Sequence, residues 1–246
     1  MLVATECESD GFLVAFTERH PGASRRPFDT LNLSYATGDD PDGVAGNRDA
    51  ECRALGVGSF AVAQQVHGAG VAEVDRATAG AGFSHADGAF PATDALTTRR
   101  RGLALAVLVA DCVPVAVASP RMGRVAVVHA GWRGIAAGVV QRTLEGFGDP
   151  SDVRAAIGPA IGPDHYEVGA EVIDALEAAG PLRVAGRAAG GRCRVDLSST
   201  VEAILRERGV GKIERAAECT ACLPDRLFSH RRDGATGRQA LVAAIL

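Results

Sequence analysis

Aromatic residues are scarce in this sequence and make up only 4% of its 246 residues. Proteins that bind single-stranded nucleic acid stack bases on aromatic side chains, so the scarcity argues against such a platform. The chain also lacks a strong excess of either charge, since its formal net charge at pH 7 is −4. Basic surfaces dominate nucleic-acid affinity, and we therefore expect no nucleic-acid partner.

Long apolar runs are missing as well. No stretch approaches the roughly 20 apolar residues that a membrane-spanning helix needs. The beginning, MLVATECESDGF, carries acidic side chains where a secretory signal has a basic head and a long apolar run. We expect a cytoplasmic protein without membrane association. In that compartment the six scattered cysteines (7, 52, 112, 193, 219 and 222) default to free thiols.

Several familiar catalytic signatures are also absent. The sequence has no P-loop and no GxGxxG, HExxH or GxSxG motif, which removes the usual sequence evidence for nucleotide-binding, zinc-protease and serine-hydrolase chemistry. What the chain does have is a hydrophobic content of 47%, enough to bury a sizeable core.

Apolar periodicity predicts alternating strands and helices with no clear linker. Strands are predicted at 12–16, 60–66, 71–75, 103–109, 113–118, 125–128, 153–157 and 240–246. Helices are predicted at Pro41–Leu55 before a Gly56 stop, after Gly134, through Val172 and Leu176, and from a Ser199–Glu202 capping box to Gly209. This alternation favours one α/β domain, residues 1–246, with a layered sheet.

Three potential metal ligands stand where predicted strands break off. Asp111-Cys112 interrupts two buried apolar runs, His129 ends a third, and His67 ends an earlier strand. Cysteine and histidine are ligands that zinc accepts, and three protein ligands leave a position for water or substrate. The same residues also support a metal-free hypothesis, in which Cys112 is a nucleophile and His129 is its base.

Charged residues around these strand ends leave alternatives open. Asp111 either orients a ligand histidine or caps a bend through local backbone N–H groups. Arg133 suits a phosphate or carboxylate, close to the positive end of a helix that we expect near Gly134. The charged loop Phe228–Gly234 either closes over an anion or is a solvated turn.

The pair Cys219 and Cys222 forms a CxxC motif without the second such pair that a zinc ribbon needs. A thioredoxin-type motif should open a helix, but Pro224 follows almost at once. We interpret these two cysteines as structural or incidental thiols.

A set of motifs in fixed order resembles a known family. They are Leu31–Ser34, Gly38–Asp40, Asn47-Arg48, Gln65–Gly68, Ala110–Val115, His129–Gly134, Ala156–Pro159 and Phe228–Gly234. Together they resemble the YfiH family, also called the laccase-domain or multicopper polyphenol oxidase family, over nearly the whole chain. Two departures are Val109, where the family often has threonine, and Asp164-His165, where relatives often carry cysteines.

The resemblance implies a single-domain three-layer α/β/α fold with a mixed sheet, related to the catalytic domain of cytotoxic necrotizing factor. It implies zinc held by His67, Cys112 and His129. It also implies phosphorolysis of adenosine, inosine and methylthioadenosine, and deamination of adenosine to inosine. The partners would then be a purine nucleoside and phosphate; no oligomeric partner is evident.

These implications give a set of candidate residues. The candidate catalytic residues are Cys112, His67, His129 and Asp111. The candidate substrate-binding residues are Arg133, Arg231, Ser229, Asn32, Arg48 and Gln65.

The copper chemistry in the family's name can be tested by counting. A four-copper oxidase needs a blue-copper site and a histidine-rich trinuclear cluster, but the chain has six histidines (20, 67, 85, 129, 165 and 230). We therefore rank copper below zinc as the cofactor. The competing hypotheses are a cysteine hydrolase or amidase that edits peptidoglycan precursors, and a metal-binding protein without turnover.

Overall fold

The structure is a computed structural model that describes the backbone of residues 2–3 and all of residues 11–246. Most of the N-terminal stretch, with Cys7, lies outside the described residues.

The strands are β1 (Leu2–Val3), β2 (Phe12–Phe16), β3 (Phe60–Val62), β4 (Val71–Glu73), β5 (Ala95–Thr98), β6 (Ala104–Val109), β7 (Val113–Ser119), β8 (Arg124–Ala130), β9 (Arg154–Ile157), β10 (Glu167–Val168), β11 (Val184–Arg187), β12 (Cys193–Val195), β13 (Lys212–Arg215) and β14 (Gln239–Ile245). The α-helices are α1 (Pro41–Leu55), α2 (Trp132–Ala136), α3 (Val139–Leu144), α4 (Ala170–Ala179), α5 (Leu197–Glu207) and α6 (His230–Asp233). None of the described helices is both long and apolar enough to cross a lipid bilayer.

The described strands form two large mixed sheets and one small sheet. The first has the order β1-β2-β14-β6-β3 and is antiparallel except between β6 and β3. The second has the order β13-β9-β7-β8-β5-β4; its two edge pairs are parallel and its centre is antiparallel. A small three-stranded antiparallel sheet has the order β10-β12-β11. Its strands come between β9 and β13 in the sequence.

The two large sheets pack face to face, between helices. Leu105 and Leu241 from the first sheet share a core with Leu96, Ala116 and Val127 from the second. Helices α2 to α5 cover the outer face of the second sheet, and α1 packs on the outer face of the first. The mixed α/β fold is confirmed, but it has four layers rather than three. A continuous apolar strand indicates burial on both faces, but it does not distinguish a covering helix from a second sheet.

Local signals account well for the helix α1. It begins at Pro41 after Asp40, whose carboxylate accepts the N–H of Asp42, and it ends before Gly56 at φ 69°, where glycine is favoured. The capping box predicted at Ser199 is wrong. Asp196 supplies the cap instead by accepting the Ser199 N–H, so Ser199 lies inside α5.

The segment after the Gly-Trp-Arg-Gly turn also differs in detail from the prediction. Its helix begins at Trp132 rather than near Gly134. Gly138, at φ 83°, divides the expected apolar face into α2 and α3. The loop 228–238 contains the short helix α6.

The strand predicted at 60–66 stops at Val62. Beyond it, the Gln65 side chain takes the place of a backbone partner: its amide donates to the carbonyl of Leu108 at 2.7 Å and accepts that residue's N–H at 2.8 Å. The chain therefore leaves the sheet before His67, which frees the following turn to adopt an irregular backbone.

Candidate functional site

The structure brings His67, Cys112 and His129 together from three separate segments. His67 follows β3, Cys112 lies in the turn between β6 and β7, and His129 lies within β8. One ligand atom from each lies within 4.8 Å of the others. The two imidazole centroids are 4.8 Å apart, with planes at 71°. The sheet places these strand ends side by side because β7 and β8 are neighbours, with Pro114 opposite His129.

The backbone is strained at two points beside this cluster. His67 has φ 58° and Asp111 has φ 92°, in a region that residues other than glycine rarely adopt. Such strain needs surrounding contacts to hold it and is often found at functional sites. Here the contacts at His67 come from a carboxylate that sequence reasoning missed.

That carboxylate is Asp94, which is fully buried. Its oxygens accept the backbone N–H groups of Val66, His67 and Gly68 at 2.7 to 3.2 Å. Oδ1 also accepts Nδ1–H of His129 at 2.8 Å. This bond leaves Nε2 of His129 free as the ligand atom. The signal in the sequence is an isolated acid directly before an apolar strand.

Asp111 does not have the orienting role that we considered for it. Its Oδ1 accepts the hydroxyl of Thr220 at 2.6 Å, and its Oδ2 accepts the backbone N–H of Arg231 at 2.6 Å. The carboxylate therefore ties the Cys112 turn to two distant loops. It binds neither a histidine nor the local backbone, so both interpretations from sequence are wrong.

In the metal-free chain, the electrostatics of the cluster favour a Cys112 thiolate paired with a His129 imidazolium. Burial alone would raise the pKa of Cys112, but the neighbouring His129 outweighs it and lowers that pKa. Burial would likewise lower the pKa of His129, but the Cys112 thiolate and the Asp94 carboxylate raise it. For Asp94 itself, burial would raise the pKa, yet the hydrogen bonds from His129 and the backbone lower it. The thiolate can serve either as a metal ligand or as a nucleophile.

Gly131 leaves the space that this cluster occupies. A Cβ atom at this position would lie 2.8 Å from Cδ2 of His67 and 3.0 Å from Sγ of Cys112. Real Cβ atoms essentially never show the first distance, and the second is tighter than most real Cβ contacts. Close packing therefore explains the glycine at this position. Its backbone conformation does not, because any residue can adopt its φ of −75°.

The cluster opens into a cavity of about 630 Å³. This volume is typical of sites for small molecules. Its lining includes the three cluster residues, Asp111 and the aromatic side chains of Tyr35 and Tyr166. Burial raises the pKa of Tyr166 to about 12, so its hydroxyl keeps its proton at neutral pH.

Four arginines also line the cavity: Arg48, Arg133, Arg231 and Arg238. The Arg133 guanidinium lies 4.4 Å above the Trp132 ring and makes no hydrogen bond with any described residue. Arg231 stacks on Tyr166 at 5.1 Å, and its Nη1 makes long contacts of 3.3 and 3.4 Å to two backbone carbonyls. These two side chains are the ones most available to an anion.

The comparisons with known proteins agree with this geometry. Residues 13–246 match the family described as multi-copper polyphenol oxidoreductase laccase. The chain belongs to this laccase-domain family. A purine nucleoside phosphorylase of Streptomyces coelicolor is 40% identical over 94% of each chain. The crystal structure of YlmD from Geobacillus stearothermophilus superposes with a TM-score of 0.91 at 34% identity, covering 96% of this chain and 92% of that one. The crystal structure of Bacillus licheniformis YfiH gives 0.94 at 32%, covering 100% and 96%.

The donor set of this laccase-domain chain suits a single transition-metal ion. Two nitrogens and one sulfur are ligands for zinc or copper. Among residues 11–246, no histidine-rich group of the size needed for a trinuclear copper cluster accompanies them. The family's copper chemistry therefore lacks its usual ligands in the described part of the chain.

Three of the predicted substrate-binding residues form hydrogen bonds within the protein. Ser229 is fully buried, and its hydroxyl caps α6 by accepting the N–H of Arg232. Asn32 is also fully buried, and its amide joins Ser34, Asp39 and the backbone N–H of Arg238. Neither lines the cavity. Gln65 does, but both ends of its amide pair with Leu108.

Two more arginines line the cavity. Arg48 was predicted to bind substrate, and Arg238 was not. Arg48 lines the cavity, yet it is buried, and its Nε and Nη1 donate to the carbonyls of Leu33, Gly82 and Phe83. Burial lowers its pKa to about 10, which still leaves it charged. Arg238 was missed because it lies beyond the recognisable motif, and it reaches the cavity from just before β14.

Proposed function

We propose that this protein is a zinc-dependent purine nucleoside enzyme. It cleaves adenosine, inosine and methylthioadenosine with phosphate, and it also deaminates adenosine to inosine. The observation that supports the proposal most is that the His67/Cys112/His129 cluster lies in the wall of a cavity. The same cavity is lined by Arg133 and Arg231, the two arginines most available to an anion. The name of the Streptomyces coelicolor relative, purine nucleoside phosphorylase, supports the choice of substrate.

The residues present fit a zinc ion. His67, Cys112 and His129 would hold it, Asp94 fixes the His129 tautomer, and Gly131 leaves the necessary space. A bound zinc ion supplies Lewis acidity and lowers the pKa of a water ligand. Three protein ligands would leave a coordination position for a small molecule.

The arginines would hold phosphate against the ribose. In phosphorolysis the C1′–N9 bond breaks, a C1′–O bond to phosphate forms, and the base leaves with the bonding electrons and takes up a proton. Positive charge develops on the ribose, and a phosphate anion held nearby by Arg133 and Arg231 stabilises it. In deamination, water adds to C6 and ammonia leaves, so no phosphate is consumed.

A nucleoside panel tests this proposal. Zinc-loaded protein is incubated with adenosine, inosine or methylthioadenosine, with and without phosphate, and the products are separated by chromatography. Free base should appear only when phosphate is present, while inosine should form from adenosine in either case. If zinc-loaded protein leaves every nucleoside unchanged, the proposal is wrong.

The thiolate–imidazolium arrangement of Cys112 and His129 favours one second candidate, a cysteine amidase that acts on peptidoglycan precursors. The two candidates differ in their dependence on metal. An amidase loses activity in Cys112→Ser but keeps it after chelation. The nucleoside enzyme loses activity by both routes and recovers it when zinc is added back to the wild-type chain.

A further inference from the structure

A second group of soft ligands lies outside the cavity. His165 belongs to the turn Pro163–His165, and Cys219 and Cys222 lie in the loop after β13. One ligand atom from each lies within 4.8 Å of the others. The Sγ of Cys222 is 3.2 Å from Nε2 of His165. None of the three lines the cavity.

The two segments are built to meet at this point. The backbone of Ala160 pairs with that of Cys219, and Thr220 N–H donates to the Ala160 carbonyl at 3.0 Å. The N–H of Cys222 donates to the Cys219 carbonyl at 3.2 Å. The resulting turn brings the ligand atoms of both cysteines close to the imidazole.

Cys219 already has the partner that a thiolate needs. The backbone N–H of Gly162 donates to its Sγ at 3.1 Å, and hydrogen bonds of this kind orient ligands around a metal. A Cβ atom at Gly162 would lie 3.1 Å from that Sγ and 3.2 Å from the Cβ of Cys219. Glycine is thus what allows the two segments to approach so closely.

The third ligand distinguishes this group from an ordinary CxxC pair. A disulfide or two unreactive thiols would need no imidazole, yet Nε2 of His165 points at Cys222 from a segment far away in sequence. His165 and Cys222 are exposed and Cys219 is half-buried, so an ion can reach them from solvent. Two sulfurs and one imidazole nitrogen are ligands that select zinc over magnesium or calcium.

We propose that His165, Cys219 and Cys222 form a second zinc site, which fastens the Gly162–Tyr166 segment to the Cys219–Cys222 loop. On binding, both thiols release their protons to solvent and a water molecule completes the tetrahedron. Zinc binding at this site does not rest on the nucleoside chemistry proposed above. It gives Cys219 and Cys222, which the sequence alone led us to interpret as structural or incidental thiols, a role as metal ligands.

The site also stiffens one wall of the cavity. Nη1 of Arg231 donates long hydrogen bonds to the carbonyls of His165 and Glu167, and its guanidinium stacks on Tyr166. On the other side, Thr220 donates to Asp111. Zinc at His165 and Cys219 therefore holds in place two segments that support residues facing the cavity.

Zinc stoichiometry tests the proposal. Reduced full-length protein is saturated with zinc chloride, desalted and measured by elemental analysis. Wild type should hold two zinc ions per chain, whereas His165→Ala and the double variant Cys219→Ser/Cys222→Ser should each hold one. Cys112→Ser should also hold one, and Cys112→Ser combined with the double variant should hold none. Cys193→Ser, which removes a half-buried thiol elsewhere, should keep both.

Cobalt substitution provides a second readout that does not depend on activity. Thiolate-to-cobalt absorption should fall by the larger share in Cys219→Ser/Cys222→Ser and by the smaller share in Cys112→Ser, because two of the three ligand sulfurs belong to the second site. His165→Ala changes an exposed side chain, so a folding failure is not expected to obscure its result. The same zinc content in wild type and in the Cys219→Ser/Cys222→Ser variant would overturn the proposal, whatever the content of the His67/Cys112/His129 cluster.

Discussion

Asp94 acts on two of the three clustered side chains at once. Its carboxylate receives Nδ1–H of His129 and the backbone N–H of His67, whose φ lies in the left-handed region. A single buried acid thus sets the ring orientation of His129 and the backbone conformation of His67. Removing its charge should disturb the site without removing any ligand.

Asp94→Asn should lower zinc affinity about 10- to 100-fold, the usual effect of losing a group that orients a ligand histidine. The amide has the right shape but cannot accept from all of its present donors. Competition with a chromogenic chelator measures the affinity. Asp152→Asn is the control, because that carboxylate accepts a hydrogen bond from Ser119 away from the cavity. Equal affinity in wild type and Asp94→Asn would contradict the role given to Asp94.

Arg133→Ala should raise the KM for phosphate about 10- to 100-fold, because a hydrogen bond to a charged group contributes about 1.5–3 kcal/mol. Zinc content should stay the same, since the side chain stacks on Trp132 and touches no ligand. Arg142→Ala removes the same charge from an exposed position on α3, outside the cavity, and serves as the control. An unchanged KM for phosphate in Arg133→Ala would assign phosphate binding to another residue.

At the scale of secondary-structure elements, the sequence signals that predicted the structure correctly were local ones. Helix α1 begins and ends where its aspartate cap and its Gly56 stop predict. The central strands were found because continuous apolar runs bounded by turns have few alternatives. The end of β3 could not be predicted, because it depends on the Gln65 side chain meeting the backbone of Leu108, far away in sequence.

Gly46→Ala should raise the free energy of unfolding by about 0.5–1 kcal/mol, because glycine inside a helix has more conformational freedom to lose on folding. The position is exposed in α1, and a Cβ atom there would meet nothing within 4 Å. Urea denaturation measures the change. The opposite sign is expected for Gly56→Ala, since alanine is disfavoured at φ 69° by about 1 kcal/mol. A loss of stability in Gly46→Ala would mean that α1 is not a regular helix at this position.

At the scale of the whole molecule, the site depends on contacts between distant parts of the chain. The sequence contains the candidate ligands His67, Cys112 and His129, but their assembly needs two mixed sheets that pack against each other. Asn32 and Ser229 were assigned to the substrate because they lie in recognisable motifs. Their burial shows that such motifs also include residues that support loops. The extent of the domain, residues 1–246, remains a prediction.

The segment before α6 is tied to the end of β2 by a long-range ion pair. Arg226 donates to both carboxylate oxygens of Glu18, at 2.8 and 3.1 Å. The hydrogen bond from Arg226 lowers the pKa of Glu18 to about 2, against an ordinary value of 4.5. The folded state therefore favours the charged carboxylate, and the pair stabilises the fold above pH 4.5. That contribution is lost as the pH falls from 4.5 towards 2.

Glu18→Gln should consequently be less stable than wild type at neutral pH, and the difference should shrink as the pH falls from 4.5 towards 2. Urea denaturation at several pH values measures both. Glu177→Gln, at an exposed position on α4, controls for the removal of a surface acid. A difference that does not change with pH would show that Glu18 acts through packing rather than charge.

The central claim is that a metal centre formed by His67, Cys112 and His129 supports phosphate-dependent cleavage of purine nucleosides. Phosphorus NMR of inosine and phosphate with zinc-loaded protein tests it most directly. Ribose 1-phosphate should accumulate in step with hypoxanthine, stop accumulating after chelation, and resume when zinc is restored. Hypoxanthine without ribose 1-phosphate, or turnover that is unaffected by chelation, would contradict the claim.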